Sequence, residues 1–421
     1  MKKKSSTKDL GLSSNESLFL NNKSVFRPKS YSNIKPNCFK IYTFHAGFKK
    51  KYDDLLIIIF DQVVNSATVY SKTSTPSSPI IWDKKNNKGK VRALIVNSGN
   101  ANAHTGSKGI KIIDNYVKKL TDLLRCKKSE ILVSSTGVIG EIFDPKLIIK
   151  KINLINNKKS TNLIDAAKSI MTTDTYPKLS YKKVKIKNRV INIYGIAKGS
   201  GMIHPNMGTM LSYIFIETKL STKILKKLLL DNIESTFNSI SVDSDTSTSD
   251  TLSLFSINKT SINFDNKENF KKLSIALNML MKDLSLQIVK DGEGLSKLIC
   301  VKVVNSKSKI DAKNIALSVV NSPLVKTAIS GEDANWGRII MAIGKSYANI
   351  KQDKIKIMIG KNVICSEGSK NNKINLKVLN KYMKNKKIEI TININNGNYN
   401  FTAYGNDLTY KYIKINADYR S

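Results

Sequence analysis

The chain has 421 residues, 41% of them apolar, and a formal net charge of +38. That is enough apolar sequence for two or three packed domains, and it excludes a disordered class. The longest uninterrupted apolar run, 55–60, falls far short of the about 20 residues a membrane helix needs. Lysines at the start of the chain are followed by no apolar h-region, so the mature protein reads as cytoplasmic. Four scattered cysteines (Cys38, Cys126, Cys300, Cys365) form neither a disulfide framework nor a zinc motif. The three histidines (His45, His104, His204) make no ligand pair, so no metal is expected and a His-based triad is disfavoured. The positive excess is nearly all lysine, spread among Asn and Ile, whereas nucleic-acid readers cluster Arg with aromatics. Compositional drift accounts for it better than a specific nucleic-acid surface.

Residues 1–38 are rich in Lys, Ser and Asn and read as a loose tail. Residues 53–60 and 66–70 have the β-branched, apolar character of two strands, and 84–90 reads as a hairpin-like turn. Residues 91–96 form a core strand that delivers the small-residue loop 97–106. Helical spacing runs through 107–126, with Ile113, Val117, Leu120 and Leu124 on one face. Residues 131–133 are a strand ending in Ser134-Ser-Thr-Gly-Val-Ile-Gly140. Thr136 and Gly137 could aim a hydroxyl and an amide at one oxygen there, although a plain turn also fits.

A short helix from about 161 enters Met171-Thr-Thr-Asp-Thr175, and 182–196 reads as a two-strand hairpin. Its second strand enters Ala197-Lys-Gly-Ser-Gly-Met-Ile-His-Pro-Asn-Met-Gly-Thr-Met-Leu211, which runs into an apolar strand. Gly208 before Thr209 suggests a peptide bond that is to be cut. A threonine freed at its amino end carries both a nucleophilic hydroxyl and its own base. Further helices are expected over 221–240, 266–289 and 312–329, the last interrupted at Pro323. Residues 243–251 alternate acidic and hydroxyl side chains, which favours a supporting network over a cation site. A smaller β-rich lobe is expected over 346–421, with strands at 355–359, 387–394, 399–404 and 410–415.

Several of these segments resemble the ornithine acetyltransferases, the bifunctional glutamate N-acetyltransferases of arginine biosynthesis. They are the Lys198–Thr209 stretch, Asn97-Ser-Gly-Asn-Ala-Asn-Ala103, Ser134–Gly140, Met171–Thr175 and Asp243–Thr251. Asp291-Gly-Glu-Gly294, Gly331-Glu-Asp-Ala-Asn-Trp-Gly-Arg338 and Ile415-Asn-Ala-Asp-Tyr-Arg-Ser421 complete the set, in family order from about residue 40. The resemblance implies an α/β (α+β) fold, an αββα-type layered sandwich with a smaller C-terminal α+β lobe. It also implies self-cleavage at Gly208-Thr209 into a chain whose 39–208 part follows the 1–38 tail and a chain whose 209–345 part precedes the lobe.

On the same footing Thr209 is the nucleophile, and Thr136 and Gly137 stabilise the oxyanion. Substrate contacts fall to Thr172, Lys198, Thr209, Glu293, Asn416 and Ser421. Acetyl would pass from N2-acetylornithine to glutamate through an acetyl-Thr209 ester, in an α2β2 heterotetramer, with no cofactor and with acetyl-CoA open as a second donor. Gly208 stands where the family commonly has Ala, His104 for Cys, Ser249 for Asn and Ala334 for Pro. The competing readings are an amidase or aminopeptidase on the related self-cleaving fold, and a basic nucleic-acid-binding protein.

Overall fold

The computed structural model describes residues 23–31, 34–204, 210–257 and 259–418. Its larger half is an eight-stranded sheet of β1 (Phe39–Phe44), β2 (Leu55–Tyr70), β3 (Lys90–Asn100), β4 (Ile131–Val138), β5 (Lys178–Ile186), β6 (Arg189–Lys198), β7 (Leu211–Ile216) and β8 (Thr251–Ser256). The order is β4-β3-β2-β8-β7-β6-β5, with β1 also alongside β2. The segments expected as separate strands at 53–60 and 66–70 are one strand, β2. Leu55–Phe60 pairs with β1, and Asn65–Tyr70 pairs with β8. Between them the register against β3 shifts, from Ile59 to Val64, with Asp61 and Gln62 exposed. An irregularity of this kind bends a strand and strengthens its twist.

The bend folds the sheet over itself. Leu56, Ile58 and Phe60 share one cluster with Tyr194, Leu211, Tyr213 and Phe215 from β6 and β7. Phe39 stacks on Phe215 with ring centroids 4.5 Å apart. Leu55, Ile57 and Ile59, pointing the other way by the period of two, pack with Ile113, Tyr116, Val117 and Leu120 of helix Gly106–Leu124 and with Ile148 of helix Lys146–Ile152. The opposite outer face, carrying Ile214 and Ile216, is covered by helices Thr222–Ile233 and Lys267–Val289. In the latter, Leu273, Leu277, Leu280, Leu284 and Ile288 recur at helical spacing and are buried. The Asn266 side chain caps its first turn at the Glu268 and Asn269 N–H groups. The result is the expected αββα sandwich.

A second sheet has the order β12-β11-β10-β13-β9-β14. Its strands are β9 (Leu298–Ser306), β10 (Lys356–Ile359), β11 (Asn362–Ser366), β12 (Ser369–Lys370), β13 (Lys387–Asn393) and β14 (Tyr399–Asn406). Strand β9 lies between β13 and β14, so this unit draws on residues well before 346. Helices Lys309–Val320, Pro323–Ser330 and Trp336–Gly344 pack on it. The stretch expected as one interrupted helix over 312–329 is two, because Pro323 opens the second and Ser322 caps it at Val325 N.

Further expectations are corrected. Residues 84–86 finish helix Ser78–Asn86, which Pro79 starts, so the turn into β3 is confined to 87–89. Residues 410–415 lie in helix Tyr410–Ala417, capped by Thr409. Its Tyr-Lys-Tyr-Ile-Lys-Ile order imitates strand alternation, but no strand neighbour pairs with it. The described part of the expected tail is docked: Ser24 N donates to Thr175 Oγ1 at 3.2 Å, the Ser24 hydroxyl to Lys290 O, and Phe26 packs against the core. Among the described residues no helix is long and apolar enough to cross a membrane.

Candidate active site

The ends of β4 and β6, the turn after helix Leu163–Ser169, the turn after Lys267–Val289 and the final helix converge on one cleft. It is open to solvent and is lined by Thr136, Gly137, Thr172, Lys198, Glu293 and Asn416. These site residues are far apart in sequence and are here brought together. Met210 and Leu211 and residues 247–250 complete the wall. Gly208, Thr209 and Ser421 lie outside the described residues.

Lys198 is almost fully buried, and its Nζ donates to Thr136 Oγ1 at 2.8 Å and Thr172 Oγ1 at 3.1 Å. Since the Thr136 oxygen accepts from an ammonium, its own hydrogen is available to a carbonyl oxygen in the cleft. Gly137 has φ +133°, and a Cβ there would lie 2.2 Å from the Gly99 carbonyl carbon, so only glycine fits this wall. Burial pulls the Lys198 ammonium below the usual lysine range, against the carboxylates of Asp174, Asp250 and Glu293.

Behind Lys198 sits a buried charge cluster. Asp174 Oδ1 accepts Gly199 N at 2.7 Å, and Asp174 Oδ2 accepts Thr172 N at 3.0 Å. Lys178 Nζ bridges Asp174 at 2.5 Å and Asp291 at 2.6 Å. Thr175 donates its N–H to Asp291 Oδ2 at 2.9 Å and its hydroxyl to Asp291 Oδ1 at 2.5 Å. Burial works to raise the Asp174 pKa, but the Lys178 and Lys198 ammoniums carry it down to about 2. The cluster therefore fixes the backbone on both sides of the Lys198–Thr172 contact. Lys178 carries no sequence sign of this role, standing among the exposed lysines of the same hairpin.

Glu293 is a further charged residue of the lining. Its N–H donates to Ser200 O at 3.0 Å, and Asn416 Nδ2 donates to its Oε2 at 2.8 Å. A Cβ on Gly201 would meet that carboxylate at 2.4 Å, so Gly201 is what lets Glu293 lie against the loop. Burial raises the Glu293 pKa, with hydrogen bonds from Thr173 and Asn416 opposing. A carboxylate desolvated in this way favours a cationic partner.

The loop 97–106 is largely self-bonded, with Asn97 Nδ2 on Asn100 O and Asn102 N on Asn100 Oδ1, both at 2.8 Å, while Ala101 reaches the cleft. Asp243 accepts Met202 N at 2.6 Å and Ile203 N at 2.8 Å, which is the supporting role expected of 243–251. Residues 247–250 additionally form the wall. Among the described residues no group of three His, Cys, Asp or Glu side chains is placed to hold a metal ion. The motif Gly331–Arg338 is not at the cleft: it opens helix Trp336–Gly344, with Asn335 capping Arg338 N and Glu332 paired to Lys297 at 3.0 Å.

The sequence model of the ArgJ family matches residues 40–421. The arginine biosynthesis bifunctional protein ArgJ of Bartonella henselae is 42% identical over 388 residues, covering 91% of this chain and 95% of that protein. The protein of the same name from Agrobacterium fabrum is 40% identical over 94% of this chain and 99% of its own length. Among solved structures, the arginine biosynthesis bifunctional protein argJ of Bacillus halodurans shares 35% identity, with a TM-score of 0.46, over 50% of this chain and 100% of that one. Ornithine acetyltransferase of Mycobacterium tuberculosis, solved with ornithine, shares 25%, with a TM-score of 0.36, over 41% of this chain and 93% of that one. With its cleft residues assembled and both curated relatives matched over nearly their full length, the chain belongs to the ArgJ family.

Proposed function

We propose that the cleft transfers acetyl from N2-acetylornithine to glutamate through an ester on Thr209, as a step of arginine biosynthesis in the cytoplasm. The observation that carries this reading is that Lys198 and Glu293 line the same cleft as Thr136 and Gly137. Such a site offers a cation to an amino-acid carboxylate, an anion to a side-chain ammonium, and donors to an acyl oxygen. Thr209 is the residue immediately before Met210 of the lining.

The Thr209 hydroxyl first attacks the Gly208 carbonyl, and hydrolysis of the resulting ester frees the Thr209 amine. That amine then takes the hydroxyl proton as the oxygen attacks the acetyl carbonyl. The oxyanion receives the Thr136 hydroxyl and the Gly137 N–H, each worth about 10²–10³ in rate. Collapse breaks the amide C–N bond, the Thr209 ammonium returns the proton, and ornithine leaves. The amine of glutamate attacks the ester by the same steps in reverse. Amide becomes ester and then amide again, so the exchange needs neither ATP nor metal.

Asn416 and Ser421 complete the substrate contacts, the two cleaved chains pair as α2β2, and acetyl-CoA is a candidate second donor. A denaturing gel with mass and N-terminal sequence should give fragments starting at Met1 and Thr209, and Thr209→Ala should leave one intact, inactive chain. Acetylornithine mixed with glutamate should yield acetylglutamate; free acetate alone would identify a hydrolase instead.

A further inference from the structure

The loop joining β1 to β2 lines none of the cleft, yet it touches both walls from behind. Its shape is set by Asp54, a fully buried carboxylate that accepts Ala46 N at 2.6 Å, Gly47 N at 3.1 Å and Lys49 N at 2.9 Å. Three N–H groups on one charged acceptor hold an otherwise irregular loop. On one side the loop packs under the Thr136–Gly137 wall. A Cβ on Gly99 would lie 2.7 Å from the Phe48 carbonyl oxygen, and a Cβ on Gly137 would lie 2.2 Å from the Gly99 carbonyl carbon. Loop, β3 end and β4 end are therefore layered in backbone contact.

On the other side Lys49 reaches out. Its Nζ donates to Met171 O at 3.0 Å, Asp53 O at 3.1 Å and Ser169 O at 3.4 Å. An ammonium has three N–H donors, and these three carbonyls use them all. Ser169 ends helix Leu163–Ser169, so the cation also meets the negative end of a helix. Met171 directly precedes Thr172.

We propose that Lys49 is a positioning residue that ties the Ser169–Thr172 turn to the loop backing Gly99 and Gly137, and so fixes the Thr172 hydroxyl against Lys198, the same ammonium that holds Thr136. It acts through Thr172 and touches no substrate. This rests on the acetyl-transfer reading of the cleft.

The test is a double-mutant cycle on the full chain, read as kcat/KM for acetylornithine. Lys49→Met keeps the length of the side chain and removes the donors. We expect it to lower kcat/KM about tenfold, the scale of one lost hydrogen bond to a charged group. Thr172→Val should lower it at least as much. The double variant should be no worse than Thr172→Val alone, because one contact has been removed twice. Additive losses, an unaltered Lys49→Met, or a loss in Lys49→Met without one in Thr172→Val would each overturn the proposal. Should Lys49→Met fail to fold, Lys49→Gln, which is neutral, one bond shorter and has one donor fewer, takes its place in the same cycle, and a loss that adds to that of Thr172→Val counts against the role. A wild-type protein that makes no acetylglutamate defeats the acetyl-transfer reading itself, separately from Lys49.

Discussion

Asp174 and Asp83 are the same residue type in the same sandwich, 7% and 1% exposed, and burial drives both upward. They end on opposite sides of the ordinary carboxylate range. Asp174, behind the cleft, faces Lys178 and Lys198 and is held at about 2. Asp83, in helix Ser78–Asn86 at the far layer, has only Val133 N at 3.1 Å and the Tyr70 hydroxyl at 3.3 Å to oppose its desolvation, and it stays well above. Burial alone thus says little about whether a carboxylate keeps its charge. The lysines at the cleft favour an anion beneath its lining, while the distant core favours a protonated acid.

The largest effect should come from Lys178→Met. Asp174 and Asp291 would then face each other in the dry interior without their shared cation, a loss of about 3–5 kcal/mol for a broken buried pair. Denaturant unfolding measures it, and a cost below about 1 kcal/mol would show that the cation is not what separates Asp174 from Asp83.

Next is Asp174→Asn. A folded pKa of about 2 is below the unfolded value, so this carboxylate contributes stability above pH about 4 that fades as acid approaches 2, on the order of 2 kcal/mol. The variant should lose stability at neutral pH and show a flatter acid limb. Asp174 also supports the charge on Lys198, so without it Lys198 should deprotonate at lower pH and the alkaline fall in kcat/KM should begin earlier. A profile superimposable on wild type would uncouple Asp174 from the site.

Much of the cleft was legible only through the family resemblance, since threonine and glycine side by side at a strand end fit a plain turn as well. Thr136–Gly137, Thr172 of the Met171–Thr175 turn and Glu293 all line the cleft to which the resemblance assigns them. The helix Lys267–Val289 was legible from its 3.6-residue period. Lys178 was not, because a buried lysine in a hairpin that also carries Lys182, Lys183 and Lys185 has the same local pattern as its solvated neighbours; only the fold distinguishes it. Strand β9 escaped for a related reason: its place between β13 and β14 depends on residues about 90 positions further along the chain. The final helix buries no residue, so it lacks the one-sided apolar face by which helices are recognised.

The smallest effect is the most discriminating. In Asp83 the folded pKa lies above the unfolded one, so the native state holds its proton more tightly. The stability this gives is full below the unfolded pKa and is lost as pH rises through the folded one. An amide at this position cannot titrate, so Asp83→Asn should be no better than wild type near pH 4 and more stable at pH 7–8, with turnover unchanged because Asp83 lies outside the cleft. Melting temperatures across that range test the sign. If instead the Asp83→Asn variant loses stability toward alkaline pH relative to wild type, Asp83 is ionised in the fold, an unseen cation balances it, and the contrast with Asp174 disappears.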